Sequence, residues 1–267
     1  MIFEPAIAAI QKHIDHYWVL DHAAITAMNS PLMYAYPGVT PDMIIVLDGH
    51  FTMTYLGKTY RSDQSMLFSF IQEQLHIDLS SLKKCIIVKF KSRALSSLMP
   101  FVQKDAKSLM RDAVAPVEYF FGLEIIHFIA HLRTLDDIEI ATALDDWFFQ
   151  HYNKEAEGFV VEMAQEVSAS FDIRTIMEAT NYSYSTIERY FKRDTGLTPK
   201  RFQSLQRYKL AVRELYVTRN SDWQHYVAKY GYYDQSHFIK EIKRYTSHTP
   251  AQLLNTPAFI QVRPSYL

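Results

Sequence analysis

The stretch "FKRDTGLTP", residues 191–199, returns 51 residues later as "IKRYTSHTP", residues 242–250. Lys192, Arg193, Thr195, Thr198 and Pro199 reappear as Lys243, Arg244, Thr246, Thr249 and Pro250. Self-similarity at a fixed offset means that one supersecondary unit is built twice, which limits the folds open to this region more than composition does. Each copy closes a pattern of helix, tight turn, helix. "IRTIMEAT" leads to a turn at Asn181 and Tyr182 and then to "YSTIERYFKRD", opened by Ser183; "WQHYVAKY" leads to Gly231 and Tyr232 and then to a helix opened by Asp234. Asp172, Ser183 and Asp234 are the expected N-caps, because a short side-chain oxygen accepts from backbone N–H groups left open in a first turn. Between the copies, "PKRFQSLQRYKLAVRELY" starts with Pro199 at a first-turn position. Phe202, Leu205, Tyr208, Val212 and Leu215 then recur three or four apart, so the spacing predicts one continuous helix.

Two short helices joined by a turn containing Gly or Asn make a helix-turn-helix, whose second helix enters the major groove of DNA. Helical spacing turns Ile187, Tyr190 and Phe191 inward and Ser185, Glu188, Arg189 and Lys192 outward. In the second copy it turns Phe238 and Ile242 inward and Ser236, Ile239, Lys240 and Lys243 outward. Arg pairs with guanine bidentately, Glu accepts from cytosine N4, Ser bonds either way and Ile touches a thymine methyl. The joining helix of about 18 residues measures about 27 Å, close to the roughly 34 Å between successive major grooves on one face of B-DNA. A single chain carrying both units is therefore expected to serve two adjacent grooves.

Charge is divided to match. The formal net charge is −1, but residues 173–250 hold 14 Lys and Arg against 7 Asp and Glu, a net of +7 that leaves −8 elsewhere. A basic lobe on an acidic one points to a polyanionic partner for the C-terminal part. The start of the chain lacks a cleavable leader pattern and no apolar run is long enough for a bilayer, so a cytoplasmic location is expected. A single cysteine, Cys85, excludes an internal disulfide framework and a Cys-rich zinc finger, and reads as a small apolar residue of a strand. His127 and His131 stand four apart with Glu124 on the same face, but without the H-E-x-x-H pattern they read as core histidines. His13, His16 and His22 form only a loose cluster. With seven glycines in all, the chain shows no phosphate loop or nucleophile elbow. No cofactor, no metal and no enzymatic activity are expected.

The N-terminal part changes character along its length. From about Tyr17 to Phe90 it reads as strands, with "IIVLDGHFTMTYLGKTYR" taken as a hairpin turning at Asp48 and Gly49. From Ser97 to Tyr152 the period becomes helical, and "VEYFFGLEIIHFIAHL" is apolar almost all round, as if buried in its own lobe or against another subunit. A polar stretch at 153–158 marks a boundary. The expected fold class is α+β: a β-rich domain with C-terminal helices over 1–152, a cupin-like barrel being one arrangement open to it, and an all-α domain over 153–267. Within the latter the first unit spans about 173–195, the joining helix about 199–217 and the second unit about 222–247.

These residues carry a resemblance. The stretch "GYYDQSHFIKEIKRYTSHTP", residues 231–250, together with "SYSTIERYFKRDTGLTP", resembles the AraC/XylS family of bacterial transcription regulators. That resemblance implies a sequence-specific regulator whose DNA contacts come from Ser185, Glu188, Arg189 and Lys192 and from Gln235, Ser236, His237 and Lys240. Its implied partners are double-stranded operator DNA, RNA polymerase, a small-molecule effector in the N-terminal domain and a second copy of the chain. Two departures stand out. Ser247 occupies a position where Gly is usual and a positive φ is preferred, and Lys240 replaces a common Arg, which weakens bidentate guanine reading. Two other readings stay open: a metal- or small-molecule-binding barrel enzyme with a basic tail, and a nucleoid-type binder of low sequence preference.

Overall fold

The computed structural model describes residues 1–98, 114–153 and 173–255, apart from 29, 39, 70, 72, 92, 93 and 196. The expected cap Asp172 and most of the polar boundary lie outside the described residues.

Among the described residues ten strands form two antiparallel sheets. The larger contains β1 (Ile2–Phe3), β2 (Ile14–Asp21), β4 (Asp42–Gly49), β7 (Met66–Phe68), β9 (Leu82–Phe90) and β10 (Val114–Pro116), in the order β1-β2-β9-β4-β7-β10. The smaller contains β3 (Leu32–Ala35), β5 (Phe51–Tyr55), β6 (Lys58–Ser62) and β8 (Leu75–Asp78), in the order β3-β8-β5-β6. Period-two geometry explains why β4 and β9 carry unbroken apolar runs, Met43–Leu47 and Cys85–Val88. Met43, Ile45, Leu47, Ile86 and Val88 enter one core, while Ile44, Val46, Cys85 and Ile87 enter another. The second core lies between the sheets and includes Phe51, Met53, Leu75 and Ile77 of the small one. Cys85 is buried there as expected, and burial pushes its thiol up to about 12.

The expected hairpin at Asp48 and Gly49 is not formed, because β4 and β5 belong to different sheets. β4 stays paired with β9 as far as Gly49 opposite Leu82, and Gly49, at φ +92°, lets the chain leave for the other sheet. The hairpin is instead β5–β6, turning at Leu56 and Gly57, both at positive φ as a tight two-residue turn requires.

Helices cover the other face of the large sheet. Before residue 154 these are α1 (Ala8–Gln11), α3 (Ala94–Leu98), α4 (Glu118–Phe121), α5 (Glu124–Leu132) and α6 (Asp137–Gln150), whereas α2 (His22–Thr26) places Ile25 in the core between the sheets. The stretch expected to be one all-apolar helix is broken at Gly122, φ +76°, into α4 and α5. Ile125, Ile129 and Leu132 of α5 are buried, whereas Leu123, Ile126, His127 and His131 are exposed. His127 and His131 are therefore surface residues, contrary to expectation, because the sheet covers only one side of the helix. Asp145 of α6 anchors this layer: its carboxylate accepts from the Tyr17 hydroxyl at 2.7 Å and from the Ile7 N–H at 3.3 Å.

The described residues from 173 onward are helical: α7 (Ile173–Thr180), α8 (Tyr184–Thr195), α9 (Pro199–Thr218), α10 (Trp223–Tyr230), α11 (Gln235–Thr246) and α12 (Pro250–Leu254). One apolar core runs through both parts of the molecule, since Ala94 and Leu98 of α3 share a cluster with Ile187 and Phe191 of α8.

Candidate nucleic-acid interface

Both predicted units fold as two helices across a tight turn. In the first, Asn181 takes φ +55° after α7, and the Ser183 hydroxyl accepts from the Thr186 N–H at 3.3 Å to start α8. In the second, Gly231 ends α10 in the left-handed conformation and Asp234 caps α11 by accepting from the His237 N–H at 2.7 Å. Thr198 and Thr249, the repeated Thr-Pro pairs, cap α9 and α12 with Pro at the first turn of each. The repeat is thus a punctuation mark: a recognition helix ends, a cap forms and the next helix begins.

The inner faces are buried as the spacing required, except that Tyr190 is only half-buried at the edge of the core. Ile187 and Phe191 of α8, and Phe238 and Ile242 of α11, are fully enclosed. Ser185, Arg189 and Lys192 are exposed on α8, and Ser236, Lys240 and Lys243 on α11. The rest of the predicted contact set is more constrained. Glu188 is only 29 % exposed at its side chain and pairs with Lys192 at 2.8 Å, so a phosphate must compete with Glu188 for that lysine. Gln235 is half-buried at the start of α11. His237 accepts through Nδ1 from the Tyr233 N–H at 3.3 Å, leaving Nε2 3.8 Å from Glu241. Ile239, expected on the outer face, is half-buried against the core, because α11 packs on α9 over a wider arc than two apolar positions would cover.

The joining helix α9 spans 20 residues, about 30 Å at 1.5 Å per residue. It is not a bare rod between two ends. Phe202 meets Phe191 of the first unit at a ring distance of 5.3 Å, Tyr208 meets Tyr245 of the second at 4.6 Å, and Glu214 binds α10. Burial opposes ionisation of Glu214, but Tyr230, Lys229 and His225 hold its carboxyl down to about 2.

Ser247 ends α11 at φ +62°, the left-handed conformation that favours Gly. Replacing Ser247 by Gly is expected to stabilise the chain by about 1 kcal/mol, read as a higher denaturation midpoint at unchanged slope. A lower midpoint would show that the serine side chain is needed at this turn.

Sequence reasoning missed the contact between the two parts. The amine of Lys209, on α9, reaches into the N-terminal β-structure and donates to the Thr40 hydroxyl at 3.1 Å. It lies against Gly38, where any Cβ would collide with Lys209 Cε and Nζ. Nearby, Lys89 of β9 is bound by the Asp42 carboxylate at 2.7 Å. The three polar groups end a cavity of about 40 Å³ whose apolar lining includes Met33, Ile44, Phe68, Ile71, Ile77 and Ile87. Burial first and Lys89 second pull the Lys209 amine down to about 7, with Asp42 opposing. The glycine in "YPGVTP" was the one signal present, but nothing local pairs it with a lysine 171 residues away.

No metal-binding group of three or more His, Cys, Asp or Glu occurs among the described residues. His13 is buried against Tyr152, His16 pairs with Asp15 and His22 starts α2, so the loose histidine cluster does not converge. No helix among the described residues is long and apolar enough to cross a membrane.

A family model described as a helix-turn-helix domain matches residues 176–256. No curated protein matches the chain. Among solved structures, the chain is similar to ToxT from Vibrio cholerae O395, with 12 % identity over 90 % of this chain and 95 % of that one and a TM-score of 0.44. It is likewise similar to ToxT bound to (E)-4-(8-methylnaphthalen-1-yl)but-3-enoic acid, with 12 % identity, 92 % and 98 % coverage and a TM-score of 0.45. A third is unsaturated fatty acid bound wild-type ToxT from Vibrio cholerae strain SCE256, with 14 % identity, 89 % and 93 % coverage and a TM-score of 0.44. The two capped helix pairs with buried inner faces and the family match over the same residues agree: residues 176–256 are a helix-turn-helix domain of the AraC type, and the chain is a DNA-binding transcription regulator.

Proposed function

We propose that the regulator binds its operator in the cytoplasm by placing α8 and α11 in adjacent major grooves, with Ser185, Glu188, Arg189 and Lys192 and then Gln235, Ser236, His237 and Lys240 facing the DNA. The observation that carries this reading is the equivalence of the two helices: both bury the same apolar pattern in a common core and turn a basic face to solvent. The domains divide at residues 152 and 153. Arg189 is the base-reading candidate, since it is exposed and makes no ion pair among the described residues, its guanidinium lying 5.7 Å from the Tyr190 ring. Arg189→Ala is expected to weaken specific binding by about 1 to 3 kcal/mol and to relax choice at one base pair. Competition gel shifts with operator variants measure this. An unchanged ranking of variants would remove Arg189 from base reading, and equal competition by random DNA would favour the nucleoid-type binder.

The cavity at Lys209 supports an effector role for the N-terminal domain. Its apolar walls, with the Lys209 and Lys89 amines at one end, suit a ligand with an apolar body and a single anionic head that would draw a proton onto Lys209, the class to which a fatty acid belongs. Because the cavity is small and Lys209 closes it, such a ligand has to displace the amine that joins the two parts. A second copy of the chain fits the exposed apolar face of α5, where Leu123 is 72 % and Ile126 48 % exposed. RNA polymerase is the further protein partner of this reading.

A further inference from the structure

Glu241 is the only acidic residue of α11, which also carries His237, Lys240, Lys243 and Arg244. A carboxylate on a helix that approaches phosphates opposes binding, unless it is directed elsewhere. The Glu241 side chain is only 10 % exposed and turns into α9. Its oxygens accept from Arg207 in a fork: Nε at 3.1 Å and Nη2 at 3.0 Å to Oε1, and Nη2 at 2.8 Å to Oε2. The Ser204 hydroxyl donates to Oε2 at 3.1 Å and lies 3.0 Å from the Tyr245 hydroxyl. Arg207 also lies 4.6 Å from the centre of the Tyr232 ring, in the turn of the second unit. One guanidinium thus touches both the turn and the recognition helix that follows it.

We infer that Arg207 and Glu241 are a positioning pair that fixes the setting of α11 on α9 and thereby decides which bases Ser236, His237 and Lys240 meet. The inference rests on the DNA-binding reading. A planar fork on a carboxylate restrains rotation and translation together, which a single point contact does not. Glu241 follows Lys240 directly and stands one helical turn from His237, so a rotation of α11 about this contact carries both outward residues with it. The first unit has no counterpart, because Tyr190 stands at the repeat position of Glu241. The effect of the pair therefore belongs to the second groove alone.

Full-length Glu241→Gln and Arg207→Met test this, by footprinting and by affinity for operator variants altered base by base. Charge alone predicts opposite signs: Glu241→Gln removes a repulsion and tightens binding, and Arg207→Met loosens it. The positioning role predicts the same sign for both, a loss of about tenfold or more confined to base pairs under α11, with the double variant no weaker than the weaker single. Arg207→Lys, which keeps the charge but not the fork, is expected to reproduce that confined loss at near-normal melting temperature. Opposite signs, or a loss spread evenly over both grooves, would overturn the inference. If the unaltered chain protects no DNA, the DNA-binding reading itself has failed and the inference with it.

Discussion

Replacing Ser185, Arg189 and Lys192 by Ala together is expected to lower affinity for the operator by about 10²- to 10⁴-fold, while leaving the protein folded. Two linked units reinforce each other because each holds the other near its groove, so losing one set of contacts forfeits the effective concentration as well as the contacts. The three side chains are exposed and their helix is held from its opposite face by Ile187 and Phe191. Surface changes of this kind move stability by no more than about 0.5 kcal/mol each, and the Lys192 pair with Glu188 is worth about that much. The triple variant read by gel shift, with its melting temperature as control, separates the cases. A loss below about tenfold, with the fold intact, would mean that α8 does not engage DNA.

A second large effect concerns Lys209. Its amine titrates near 7 when folded, and as an exposed amine it would hold its proton to its ordinary value of 10.5. Between those values the unfolded chain binds more protons than the folded one, so stability rises with pH from about 7 upward and is lowest where both states are charged. Above about 10 the tyrosines complicate the balance: Tyr36 and Tyr232 are held neutral in the fold by burial and ionise once unfolded. Lys209→Met removes the ionisable group while preserving the stem. It is expected to raise stability at pH 7 by about 3 kcal/mol and to flatten the rise between about pH 7 and 9.5. Denaturant midpoints across that range test the sign. A variant whose stability climbs with pH as steeply as the unaltered chain would show that the amine is not held neutral.

What the sequence revealed divides by the range of the interactions involved. The helix-turn-helix units were legible because their determinants are local: a left-handed Gly231, caps at Ser183, Asp234, Thr198 and Thr249, and apolar residues three or four apart. Ser247 was legible for the same reason, since its φ of +62° follows from its place after a helix. The false hairpin at Gly49 shows the opposite case. A glycine at positive φ serves a hairpin and a change of sheet equally well, and only β9, more than thirty residues on, decides between them. His127 and His131 were misplaced because a helix apolar on nearly every side carries no sign of which side meets the sheet. Lys209 was hidden by its own residue type. Lysines in a helix with an apolar stripe are ordinarily solvated, and the partner that buries this one comes from the far end of the chain. Of the candidate contacts, outward placement was readable for Ser185, Arg189, Lys192, Ser236 and Lys240, whereas the Glu188–Lys192 pair and the burial of Ile239 needed the packed structure.

The claim that one chain reads two adjacent grooves is tested most directly by footprinting the full-length protein on DNA selected from a random pool. Two protected segments are expected, centred about 10 base pairs apart on one face of the helix. The triple substitution on α8 should abolish one, and replacement of Ser236, Lys240 and Lys243 the other. A single protected groove, or protection that follows no sequence, would contradict the account.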